Sequence, residues 1–191
     1  MTTRSLRATA AHLPDADLPT DTFYRGTREL YFNDEPIEVI YVPSATSDGD
    51  VLVFCRKSDV VVAGDVVQDL TYPVVRLEAG GTLNGTIAAL NRILGITIAS
   101  WRAEGGTLVI PNRGRVYDEG DVAEYRDMVT IVRDRVRDAI RKGQSLAEIK
   151  AARIARDYDG RYGAPAGRAS PDAFIETAYR SLSGEERATP P

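Results

Sequence analysis

Ser58-Asp59-Val60-Val61-Val62-Ala63-Gly64-Asp65 is the stretch on which the fold turns. Its centre is a continuous apolar run, and it ends on a glycine and a carboxylate. A short run of this kind between turn residues reads as a strand covered on both faces, since a half-exposed strand would alternate. Just upstream, Val51-Leu52-Val53-Phe54-Cys55 has the same character, and Arg56, Lys57 and Ser58 between the two runs predict a hairpin. Further upstream, residues 29–32 and 36–42 flank Asn33-Asp34, a turn signal that predicts another hairpin.

Downstream the period changes. Gly80-Gly81 reads as a structural turn, and Leu83, Ile87, Leu90, Ile93 and Leu94 then recur at helical spacing. Residues 107–110 are one more short strand, stopped by Pro111. From Asp118, the residues Val122, Tyr125, Met128, Val129, Val132, Val136 and Ile140 make one apolar helical stripe, closed by Lys142-Gly143. Interleaved Arg and Asp on the same helix read as a solvated, salt-bridged face. Ser145 with Glu148 is a capping box opening a helix to about Arg156. Residues 157–167 read as a Gly/Tyr loop, and Ser170-Pro171 starts a last helix to Leu182. The expected organisation is an N-terminal arm (1–21), one domain (22–183) and a flexible tail (184–191). The fold class is α/β: a layered β-sheet with helices on one face. The strands call for cover on their other face as well, from the arm or from a second chain.

Composition narrows the functions. A chain of 191 residues, 43% hydrophobic and 27% charged, is long enough for a real core without metal or disulfide staples. One cysteine, Cys55, excludes an intramolecular disulfide and a Cys-based zinc site; it reads as an inert core thiol in an apolar strand. One histidine, His12, excludes a site that needs two imidazoles from one chain. With 28 acidic against 24 basic residues, a nucleic-acid partner is not expected. Neither a secretory signal nor an apolar run of membrane-spanning length is present, so no membrane partner is expected and the expected address is the cytoplasm.

Three strand ends lead into loops: Ala45-Thr46-Ser47-Asp48-Gly49-Asp50, then Gly64-Asp65, then Pro111-Asn112-Arg113-Gly114. Together with Tyr72-Pro73, Gly80-Gly81 and residues 118–135, their order resembles the later part of the metallo-β-lactamase fold superfamily of metallohydrolases. The resemblance runs from about Phe23 to Leu182. It implies one half of an αββα sandwich, which a homodimer packing sheet on sheet could complete. It also implies zinc as the family's cofactor. The family's early H-x-H-x-D-H motif does not occur in these 191 residues. Its later A-H-T-D-G-D segment corresponds to Ala45-Thr46-Ser47-Asp48-Gly49-Asp50, which puts Thr46 where a histidine ligand would stand. The bridging aspartate corresponds to Asp65. The P-G-H-G histidine corresponds to Arg113.

Of that implied ligand set only Asp65 can bind a metal, with Asp48, Asp50 and Asn112 as possible neighbours. Catalytic zinc takes three protein ligands, and an arginine repels a cation, so the expectation is that no cofactor is held. An ion pair between Arg113 and Asp65 across the old metal site is expected instead, offsetting the cost of a carboxylate buried without its metal. Three functions follow from the resemblance. One is a catalytically degenerate, hydrolase-like protein with a binding or scaffold role, a small molecule being one candidate ligand. Another is a metal-dependent hydrolase of an ester or amide, active only with a partner chain or a non-standard site. The last is a fragment with no selected function.

Overall fold

The computed structural model describes residues 23–97 and 106–188; the expected arm and His12 lie outside them. Five strands form one sheet in chain order: β1 (Thr27–Phe32), β2 (Glu35–Tyr41), β3 (Val51–Cys55), β4 (Val60–Gly64) and β5 (Leu108–Pro111). The first four are antiparallel neighbours, and both expected hairpins are present. Asn33 and Asp34 both take positive φ, 49° and 60°, as the tightest hairpin turns require. β5 lies parallel to β4. Parallel neighbours need a crossover, and the helix α1 (Leu83–Thr97) sits within it.

Four helices follow: α2 (Glu119–Arg141), α3 (Leu146–Ala151), α4 (Arg156–Tyr162) and α5 (Pro171–Ala188). Asp118 caps α2 in a box with Asp121, and Ser145 caps α3 in a box with Glu148. Such caps satisfy backbone N–H groups that the first turn of a helix leaves orphaned. The stripe on α2 is buried from Val122 to Val136, while Ile140 at its end is only partly buried. The opposite face carries the expected ion pairs, such as Arg133–Asp134 at 2.8 Å and Lys142–Asp138 at 2.6 Å.

The single helix expected from Ser145 to about Arg156 is instead broken. Arg153 takes φ 47°, and α4 occupies a stretch that reads locally as a loop. The cause is long-range. The Tyr72 hydroxyl donates to the Ala155 carbonyl (3.1 Å) and to Asp159 Oδ1 (2.9 Å), and the Tyr72 N–H donates to the Tyr162 carbonyl (2.9 Å). These bonds satisfy polar groups at both ends of α4 from a residue far away in sequence. The last helix also runs past Leu182, to Ala188.

The sheet's two faces differ. On the inner face Ile40, Leu52, Phe54, Val61, Ala63 and Val109 share one core with α1, α2 and α5. Cross-strand pairing places two apolar rows on the outer face. One row is Leu30–Ile37–Cys55–Val60–Leu108, and the other is Val39–Val53–Val62–Ile110. Leu30 is 55% exposed, Leu108 46%, and Val62 and Ile110 38% each. Among the described residues, then, helices cover one face, and the continuous apolar pattern records a second face with partial cover. Cys55 lies on this outer face, half-buried, and not in the core.

Candidate functional site

Parallel pairing of β4 and β5 brings their C-terminal ends side by side, with Gly64 in register with Pro111. In α/β sheets this end is where loops gather side chains into sites. The Asn112 N–H donates to the Gly64 carbonyl at 3.0 Å, which holds the two loops together. Asn112 Nδ2 then donates to Asp65 Oδ1 at 2.6 Å. The other carboxylate oxygen, Oδ2, lies 3.6 Å from the Arg76 guanidinium.

Arg76 belongs to the loop before α1, and its backbone N–H donates to the Thr46 carbonyl at 2.7 Å. It therefore ties the 44–50 loop to Asp65. The Asp65–Arg76 pair is well exposed on both sides, 39% and 41%. Such a pair contributes at most about 1 kcal/mol. It fixes geometry more than it stabilises.

The expected ion pair between Arg113 and Asp65 is not formed. Its premise was a buried carboxylate, and Asp65 keeps 39% of its side chain in solvent, so the desolvation penalty that would draw in a second guanidinium is small. Arg76 already supplies the cation. Arg113 is exposed and makes no ion pair among the described residues.

Thr46 is fully buried; its hydroxyl donates to Asp50 Oδ2 at 2.8 Å, and the Ser47 N–H donates to the same oxygen at 2.7 Å. Asp50 is thus spent on holding its own loop. Asp48 lies against Gly80, and its N–H donates to the Ala79 carbonyl. Neither is among the residues that line the cavity beside Asp65; Asn112 is.

That cavity has a volume of about 250 Å³ and is lined by Asp65, Gln68, Asp69, Thr71, Asn112 and Arg113. Sequence reasoning missed Gln68, Asp69, Thr71 and Arg76. Gln68 straps its loop, donating to the Asp65 carbonyl (3.0 Å) and accepting from the Val74 N–H (3.2 Å). Asp69 accepts from the Tyr117 hydroxyl at 2.9 Å and from the Arg115 N–H at 3.2 Å. Burial and the Asp69 bond push the Tyr117 phenol up to about 12, so it stays a donor at neutral pH. The only advance signal was the position of these residues just after Asp65.

These residues alone do not fit a zinc ion. Among the described residues no group of three histidine, cysteine or carboxylate side chains converges. The one implied ligand, Asp65, accepts from the Asn112 amide and faces the Arg76 guanidinium, which a cation at that oxygen would repel.

No family model matches the sequence, and no curated protein does. Solved structures do match by shape. A metallo-beta-lactamase family protein from Thermus thermophilus is 17% identical, with a TM-score of 0.54 over 86% of this chain and 49% of that one. A double mutant of the sec-alkyl sulfatase PisA1 is 14% identical, with a TM-score of 0.58 over 88% of this chain and 27% of that one. A metallo-beta-lactamase from Pontibacter korlensis is 16% identical, with a TM-score of 0.49 over 67% of this chain and 56% of that one. The chain spans about half the length, or less, of these structures. Its five-stranded mixed sheet and flanking helices have the metallo-β-lactamase fold, and correspond to one half of it.

Proposed function

We propose that this chain is a non-hydrolytic binding module built on half of a metallo-β-lactamase fold. The observation that carries the reading is the state of Asp65: one oxygen accepts from Asn112 and the other faces Arg76. Zinc-activated water requires an ion held by several protein ligands with a position left open. Here the position implied for a ligand histidine is Arg113, and Thr46 in the other such position is buried and bonded to Asp50. After zinc loading and desalting, the protein is expected to retain less than about a tenth of an equivalent per chain, given one carboxylate where three ligands are needed. Retention near one equivalent, with ester or amide hydrolysis, overturns the reading in favour of a metal-dependent hydrolase.

The outer sheet face supports assembly with a second copy. Its rows are apolar across four strands, a face that a second chain could cover. Two copies related by a twofold axis would meet through the same residues. Val62 lies on β4, inside the sheet, and is 38% exposed on that face, so Val62→Glu is expected to convert a dimer to monomer in sedimentation velocity. A wild-type chain that sediments as a stable, folded monomer at high concentration would exclude this assembly. No described helix is long and apolar enough to cross a membrane.

A further inference from the structure

Two arginines flank Gly114 at the end of β5, and they have opposite fates. Arg115 is clamped: its guanidinium makes two bonds to the Asp121 carboxylate and lies 4.6 Å over the Tyr117 ring. Arg113 has no ion pair among the described residues and lines the cavity beside Asp65. The loop that carries it is held at every step. Asn112 is bonded to Gly64 and Asp65. Gly114 takes φ +94°, and a Cβ there would lie 2.0 Å from Asp69 Oδ2, so only glycine lets that carboxylate close on the loop. Asp69 then binds the Arg115 N–H and the Tyr117 hydroxyl.

The carboxylates of the cavity are engaged while its cation is not. A guanidinium presented by a rigid loop loses little entropy on pairing and matches a planar carboxylate with two parallel N–H bonds. We infer that this cavity binds a small monocarboxylate through Arg113. The remaining lone pairs of Asp65 and Asp69 accept from a hydroxyl or amine on the same ligand. A dianion is disfavoured, because two carboxylates line the same 250 Å³ space. This deepens the non-hydrolytic reading and rests on it.

The test is titration of the full chain with glycolate and, separately, with inorganic phosphate, followed by amide chemical shifts in metal-free buffer. Glycolate is expected to move the Asn112, Arg113 and Gly114 amides saturably. Arg113→Gln is expected to weaken it at least about tenfold at unchanged melting temperature, as removal of one charge-assisted pair does. Arg113→Lys should fall between the two, since it keeps the charge and loses the fork. No shift at tens of millimolar glycolate, equal affinity in Arg113→Gln, or tighter binding of phosphate would each overturn the inference. Zinc retention is measured separately, so failure of the carboxylate site is distinguishable from failure of the non-hydrolytic reading.

Discussion

Gly85→Ala is expected to leave little cooperatively folded protein, while Gly95→Ala in the same helix raises stability. A Cβ at Gly85 would lie 1.8 Å from the Ser44 carbonyl oxygen and 2.5 Å from its carbon. Both are backbone atoms and cannot swing away as a side-chain tip can. The 44–46 segment is docked on the start of α1 by several bonds. The Thr82 N–H donates to Ser44 and Ala45, the Thr82 hydroxyl donates to Ser44, and the Thr86 hydroxyl donates to Ala45. Making room for a methyl group means lifting that segment away. Overpacking costs about 1–3 kcal/mol, and each lost buried hydrogen bond about 1 kcal/mol more. Against a total stability of about 5–15 kcal/mol the sum is severe. At Gly95 nothing lies within 4 Å of the built Cβ, and the residue is exposed. Alanine there removes the helix penalty of glycine and should add about 0.5–1 kcal/mol. Urea unfolding followed by circular dichroism compares the two. A Gly85→Ala midpoint equal to wild type would mean that α1 does not press on this segment.

The same contact shows how far the sequence could be read. Strands, hairpin turns and helix caps are local signals, and Asn33-Asp34, Asp118 and Ser145 act as their residue types imply. The meeting of Asp65 with Asn112 was legible too, through the resemblance that aligns two strand ends. What escaped depends on contacts between distant segments. Arg76 carries no motif, and it becomes the cation of Asp65 only because its backbone is fastened to Thr46. Asp50 could be placed in a loop by sequence, but not seen to be consumed by that loop. An Arg113–Asp65 pair would follow from a buried Asp65, and the Asp65 side chain is exposed. Exposure is a property of the packed molecule, and it decided which arginine mattered. The break at Arg153 belongs to the same class, since its cause is a tyrosine in another segment.

That tyrosine gives the second large effect. Tyr72→Ala is expected to destabilise the chain by about 3–5 kcal/mol, the range for a large aromatic removed from a core. Tyr72 is fully buried, stacks on Phe174 at 4.6 Å between ring centroids, and lies 6.3 Å from the Tyr162 ring. It also follows Gln68, Asp69 and Thr71 in the loop that lines the cavity, so the loss of core and of site should coincide. Tyr72→Phe separates packing from polarity. It keeps the ring but takes the donor from one Asp159 oxygen, while the Ala155 carbonyl still accepts from the Tyr158 N–H, at a cost of about 1 kcal/mol. The pH dependence discriminates further. Burial first, and then the bond to Asp159, push the Tyr72 phenol well above its ordinary value. A phenol whose pKa is raised on folding stabilises the native state fully below the unfolded value of about 10, and that contribution is lost as pH rises beyond it. Wild-type stability should therefore fall steeply on the alkaline side. Tyr72→Phe, starting lower, should fall less steeply there, with Tyr117, pushed up to about 12, carrying part of the remaining slope. Parallel alkaline slopes for wild type and Tyr72→Phe would show that this hydroxyl is not the buried, bonded group that holds α4 to the loop after β4.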